Sequence, residues 1–132
     1  MAELSDKQLE LLRAGKHFGV VATVADDGRP QTSVVWVDTD GQNVVFNTTN
    51  ARAKGRNLRG DPRISISVWD NDDPYKYFEV EGTAELDEEG ANEHIDVLSR
   101  RYEDKPFHTP VNRVIVRVNA TRVLDHGIED ES

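Results

Sequence analysis

Residues able to do chemistry are concentrated in one stretch, Asn47-Thr48-Thr49-Asn50-Ala51-Arg52-Ala53-Lys54-Gly55-Arg56-Asn57-Leu58, which follows the apolar run Val44-Val45-Phe46. The pattern reads as a short strand, a polar break and the first turns of a helix. Asn50 suits the N-cap, where its side-chain oxygen accepts from an amide two or three residues on. Arg52 and Lys54 then fall in the first turn, and on an ideal helix they point to nearly opposite sides. A groove along the helix flank cannot use both, whereas an anion on the axis just beyond the N-terminus can. Free amides, the positive end of the helix dipole and two cations together describe an anion site, best suited to phosphate. The alternative is a solvated basic face, because Arg52, Arg56 and Arg59 follow i, i+4, i+7 spacing. Cations are favoured late in a helix rather than early, so a bound negative group would offset the placement of Arg52 and Lys54.

Other chemistries find little support. The histidines, His17, His94, His108 and His126, are scattered, and no pair has the helical spacing of a metal site. His94 therefore reads as a surface or packing residue. Cysteine is absent, which removes disulfides, thiolate nucleophiles and cysteine metal sites, and makes a cytoplasmic location the default. There is no Gly-x-Ser-x-Gly elbow, no Gly-x-Gly-x-x-Gly fingerprint and no phosphate loop ending in Lys-Ser/Thr. Glu79, Glu81 and Glu85 share one strand face, the usual place for solvated acids. So few acid, base or nucleophile constellations fit an enzyme whose cofactor carries the hard chemistry.

Bulk properties narrow the partners. A net charge of -9 weighs against general nucleic-acid binding, which needs positive surface to displace counterions. Arg52, Lys54, Arg56, Arg59 and Arg63 nevertheless cluster with only Asp61 among them, which suits a small anionic ligand. No apolar run approaches the ~18 residues of a membrane span. The start, Met1-Ala2-Glu3-Leu4-Ser5-Asp6, lacks the basic-then-apolar pattern of a secretory signal. The 132 residues fit one domain, read as 1–132 with a loose acidic tail over about 125–132.

The elements that must position these residues follow from periodicity. Ser5-Asp6-Lys7-Gln8 matches a capping box, and Leu9 and Leu12 give the first helix an apolar face. Phe18–Ala25 and Gln31–Asp38 read as strands joined by the turn Asp26-Asp27-Gly28. Gln31, Ser33, Val35 and Val37 share one face of the second strand; Thr32, Val34 and Trp36 share the other. Asn43–Asn47 follows, making three hairpin-linked strands in a meander. Beyond the basic helix, Arg63–Trp69 and Tyr75–Leu86 alternate, Ala91–Tyr102 is helical, and Val111–Val123 is a last long strand. Six strands and three short helices suit a small closed or split antiparallel barrel better than a parallel sheet.

The run Asn-Thr-Thr-Asn, then Ala-Arg-Ala-Lys-Gly-Arg-Asn-Leu, then Asp61-Pro62-Arg63 and a strand ending at Trp69, resembles a known flavin-binding segment. It is that of the pyridoxamine 5'-phosphate oxidase-like superfamily, and within it the match is nearer to the coenzyme F420-dependent (deazaflavin) reductases. The resemblance implies a mainly β (α+β) fold: a six-stranded antiparallel split β-barrel with short flanking helices, of the FMN-binding split-barrel type. It implies an F420-dependent oxidoreductase passing hydride between the deazaflavin and a small conjugated or quinone-like acceptor. FMN is the alternative cofactor, and a non-enzymatic flavin, deazaflavin or tetrapyrrole carrier is the alternative function. The cofactor ring would lie along Ser33, Val34, Val35 and Trp36. Its phosphate would meet Asn47, Thr48, Thr49, Arg52, Lys54 and Arg56, with Arg56 and Arg59 facing a polyglutamate tail. A homodimer with the cofactor at the interface is also implied, which would give Tyr75, Tyr77 and Phe78 a surface to bury against. Trp69 is expected in the core, and Trp36 either there or as a pocket wall. No catalytic side chain stands out as a proton donor. In the flavin-using oxidases the second strand begins with arginine and ends with lysine; Ser33 and Asp38 stand at those positions here. The Arg-x-His element that those oxidases use for the vitamin is replaced by Leu124-Asp125-His126, so pyridoxamine phosphate oxidation itself is not expected.

Overall fold

Alternating apolar residues become strands, and the strands pair into one antiparallel sheet that curls on itself. The structure is a computed structural model describing residues 2–49, 53–107 and 112–129. Its order is α1 (Asp6–Arg13), β1 (Phe18–Val24), β2 (Pro30–Trp36), β3 (Asp38–Thr39), β4 (Val44–Thr49), α2 (Ala53–Gly60), β5 (Arg63–Asp70), β6 (Asp73–Asp87), α3 (Ala91–Glu103) and β7 (Arg113–His126). The capping box that starts α1 is present in full: Gln8 N–H donates to Ser5 Oγ (3.2 Å) and Ser5 N–H to Gln8 Oε1 (2.9 Å).

Seven strands are hydrogen-bonded in the order β2-β1-β5-β6-β7-β4-β3. The count departs from the expected six because one strand is split. β2 and β3 lie at opposite edges of the sheet, yet only Val37 separates them in the chain. The edges must therefore approach each other, and the sheet must curl into a half-barrel. The expected meander is corrected by the same fact: β2 pairs with β1, and the short β3 pairs with β4.

Register explains which side chains fill the interior. Val44, Phe46 and Thr48 oppose Val118, Val116 and Val114, and all six are almost fully buried. Val21, Val37, Ile66, Val68, Phe78 and Val80 join them, with Leu12 from α1 and Leu58 from α2. On the other side of the sheet, α3 packs over β4 and β7, burying Ile95 and Leu98. Val34 on the outer face of β2 has no such cover and is 63% exposed. Trp69, expected in the core, is only half-buried on the outer face opposite Phe18.

The tail reading is also corrected. β7 runs through His126, Gln8 Nε2 donates to Asp125 Oδ1 (2.9 Å), and Ile128 is buried in the core. One apolar residue in an acidic run is enough to dock residues 125–129; residues 130–132 lie outside the described residues. Among the described residues, no helix is long and apolar enough to cross a membrane.

Candidate functional site

Asn57 fixes the geometry around the basic helix. Its Nδ2 donates to Thr23 Oγ1 of β1 (3.0 Å) and to Gln31 Oε1 of β2 (2.6 Å), so α2 is fastened beside the start of β2. The buried amide is thereby satisfied, as a polar group in a core must be. Between α2 and the β1–β2 turn lies a cleft of about 650 Å³, lined in part by Asp26, Arg29, Gln31, Arg56 and Asn57. Arg56 is exposed there; Lys54 is half-buried and does not line the cleft. Arg52 and the expected cap Asn50 lie outside the described residues.

Strand alternation sorts the four residues expected along the cofactor ring. Val35 is 7% exposed and belongs to the core, which leaves only its backbone for a ligand. Ser33 faces inward with it, opposite the buried Val21. Val34 and Trp36 point outward, and they are the side chains that a flat ring on this face would meet. A ring lying along these four residues thus meets side chains only from alternate positions, as the face assignment read from the sequence implies.

β4 divides the phosphate residues in the same way. Thr48 faces the barrel interior, and its hydroxyl is the one buried side-chain polar atom without a hydrogen-bond partner among the described residues. Thr49 is buried on the opposite face. Asn47, expected to meet phosphate, is committed elsewhere. Its Nδ2 donates to Ala91 O (2.9 Å) and contacts His94 Nδ1 (3.1 Å), while its Oδ1 accepts from Arg113 Nε (2.8 Å). These bonds tie β4 to α3 and β7.

The same bonds set the histidine tautomer. Ala91 O and Arg113 orient the Asn47 amide so that its NH2 faces His94 Nδ1, which must then accept. The His94 proton sits on Nε2 and points to Asp38 Oδ2 (3.1 Å). Asp38 Oδ1 accepts from Arg101 (2.7 Å). Burial raises the Asp38 pKa, but the hydrogen bonds from His94 and Arg101, with the Thr39 amide, outweigh it and hold the carboxyl below its usual range. The His17 pKa is lowered as well, by a different cause. Burial pushes its pKa down, only partly countered by Asp70, and its Nδ1 accepts from the Asn71 amide (2.9 Å).

Both shifts make the fold acid-sensitive. A group whose pKa is depressed on folding stabilises the native state above its unfolded pKa and loses that contribution as pH falls through the folded value. Melting temperature should therefore decline first below the unfolded His17 value of 6.5 and again below the unfolded Asp38 value of 3.8. Thermal melts between pH 8 and 3 check this; His17→Gln should flatten the upper step and Asp38→Asn the lower. An unaltered profile in either variant counts against that assignment.

The basic island is smaller than its spacing suggested. Arg63 forms a bidentate pair with Asp61, which is drawn down to about 2 chiefly by the Arg63 side chain. Arg59 approaches Glu88 (3.4 Å). Sequence reasoning missed Asp38, Arg101 and Tyr102 as well. Tyr102 of α3 places its hydroxyl 2.7 Å from both Val37 O and His17 O and 3.0 Å from Val37 N. It accepts from that amide and gives its single proton to one of the two carbonyls. The amide of the residue between β2 and β3 is thus satisfied by a side chain from α3.

A family model described as pyridoxamine 5'-phosphate oxidase matches residues 4–127. The chain belongs to this family. Among solved structures of similar fold is one titled F420 reductase, 34% identical, with a TM-score of 0.77 over 91% of this chain and 98% of that one. A conserved hypothetical protein of Mycobacterium tuberculosis is 27% identical with a TM-score of 0.72, covering 96% of this chain and 88% of that one. Among curated proteins, a pyridoxine/pyridoxamine 5'-phosphate oxidase of Myxococcus xanthus is 40% identical over 69 residues, 52% of this chain and 34% of that protein. The chain spans about a third of the length of the curated relatives it matches. The half-barrel with short flanking helices is the family's split-barrel architecture, and its relatives carry oxidase and reductase names.

Proposed function

We propose that this family member is an F420-dependent oxidoreductase that transfers hydride to a small conjugated or quinone-like acceptor. The observation that carries the proposal is the surface formed where Asn57 holds α2 against β2. It sets a cleft bearing Arg56 beside the start of β2, whose outer face carries the exposed Val34 and, at its far end, the half-buried Trp36. The residues present therefore fit a cofactor with a flat ring and a phosphate. Arg52 and Lys54 would hold the phosphate with the backbone at the end of β4, and Arg56 would meet its acidic extension. Val34 and Trp36 would orient the ring, and the Ser33 and Val35 backbone would offer it hydrogen bonds.

When bound, the reduced deazaflavin supplies the hydride itself. The chain's own contribution is to place the ring and acceptor together and to keep water out. The site belongs at a homodimer interface, since the outer face of β2 exposes apolar side chains that a second protomer would cover. F420 is favoured over FMN by a specific feature. Where the flavin-using oxidases carry a lysine, Asp38 is turned toward α3 and paired with Arg101 and His94.

Parallel fluorescence titrations with F420 and FMN test the cofactor. F420 is expected to bind at least tenfold more tightly, and reduced F420 to be oxidised on addition of a quinone. Equal or tighter FMN binding would transfer the reading to a flavin oxidoreductase. Tight F420 binding without turnover on a panel of acceptors would make the protein a carrier.

A further inference from the structure

Trp36 is the last residue of β2, immediately before the point where regular pairing stops and the chain passes to the other sheet edge. Beyond that point no strand neighbour defines the backbone, so sheet geometry alone leaves the indole weakly directed. Contacts from α3 supply the missing constraint. The Tyr102 ring stacks on Trp36 with centroids 5.3 Å apart and planes 12° from parallel. Phe18 packs against the same tyrosine at 5.7 Å and 57°. The Tyr102 hydroxyl is anchored to Val37 and His17 backbone atoms, and burial is the main cause that pushes its pKa up to about 12, so it stays protonated and hydrogen-bonded at any ordinary pH.

From this arrangement we infer that Tyr102 is a positioning residue for the cofactor ring: it holds the Trp36 indole in the orientation that makes one wall of the ring site. The inference rests on the placement of the ring under the proposed function. Stacked aromatic pairs favour an offset, near-parallel geometry, so a fixed indole plane predisposes a flat ligand to one orientation. Tyr102 acts through Trp36 rather than on the ligand. This separates it from the residues that sort phosphate, and it ties ring affinity to a helix on the far side of the strand kink.

The test is a double-mutant cycle on binding. Trp36→Leu and Tyr102→Leu are each expected to weaken F420 binding by about fivefold, the scale of one aromatic stack. The combined variant should be no weaker than either alone, because the second change has nothing left to misplace. Tyr102→Phe keeps the stacked ring but gives up its anchor at Val37 and His17, so it should bind between wild type and Tyr102→Leu, which separates the ring's contribution from the hydroxyl's. A second readout uses Trp69→Phe, which leaves Trp36 the sole tryptophan. In that background Tyr102→Leu should shift Trp36 emission to longer wavelength and reduce its quenching by F420, and Tyr102→Phe should do so less. Should Tyr102→Leu fail to fold, Tyr102→Met, which fills more of the ring's volume without its plane, replaces it in the cycle. Additive losses, or unaltered affinity in Tyr102→Leu, would overturn the inference while leaving the cofactor assignment standing. Binding of neither F420 nor FMN by the wild type would overturn both.

Discussion

Replacing Arg52 and Lys54 together with alanine is expected to weaken F420 binding about a hundredfold while leaving the melting temperature unchanged or slightly higher. The two effects have separate causes. Each cation would donate a charge-assisted hydrogen bond to phosphate, worth ~1.5 kcal/mol at the solvent-facing end of the range, and two such losses make about two decades in affinity. Without ligand, Lys54 in the first turn of α2 lies at the wrong end of the helix for a cation, and no acidic residue stands in that turn. The dipole there opposes positive charge, so its removal offsets whatever contact the side chain loses. Titration and thermal melting on one preparation check both halves. Affinity retained to within threefold would sink the anion-site assignment; a large fall in melting temperature would mean the residues are structural instead.

Gly82→Ala is expected to destabilise the protein by about 3 kcal/mol, lowering the melting temperature by ~10 °C. A Cβ built at this position would lie 2.1 Å from Asn119 O and 2.8 Å from Asn119 C. Both obstacles are backbone, so no rotamer change relieves the clash. The position sits at a bulge in β6–β7 pairing: Glu81 opposes Arg122 and Gly82 opposes Ala120, which leaves Thr121 as the extra residue. Its hydroxyl donates to Glu81 O (3.0 Å) and helps close the irregularity. Relief requires the two strands to part, along the longest ladder of the barrel. Chemical denaturation of the variant measures the loss. A change under 0.5 kcal/mol would show that the bulge yields easily.

How much of this was legible beforehand depended on how local the deciding interaction is. The Ser5–Gln8 capping box spans three residues and was readable in full. The pairing of Asp61 with Arg63 spans two residues and is just as local, yet the run reads as a basic cluster with Asp61 its lone acid, which hides that Arg63 is taken. Asn47 is different. Within Asn47-Thr48-Thr49 nothing distinguishes an amide waiting for phosphate from one already committed, and its partners Ala91, His94 and Arg113 arrive from α3 and β7. The strand break at Val37 was equally hidden, because Val35-Trp36-Val37-Asp38 alternates as one uninterrupted strand. A hydroxyl 65 residues away is what satisfies the backbone there.

What the order of residues determined by itself was therefore everything governed by period and nearest neighbours: the strands, their inward faces, the start of α1 and the basic helix after β4. Even the division of Ser33, Val34, Val35 and Trp36 between two faces was implicit in their alternation. Only the tertiary structure decided which polar side chains are spent on one another. That choice is made by elements distant in the chain competing for the same donors and acceptors, and a buried polar group takes whichever partner packing brings within about 3 Å. Asp38, Asn47 and Tyr102 were claimed by the fold in this way; the Thr48 hydroxyl was not.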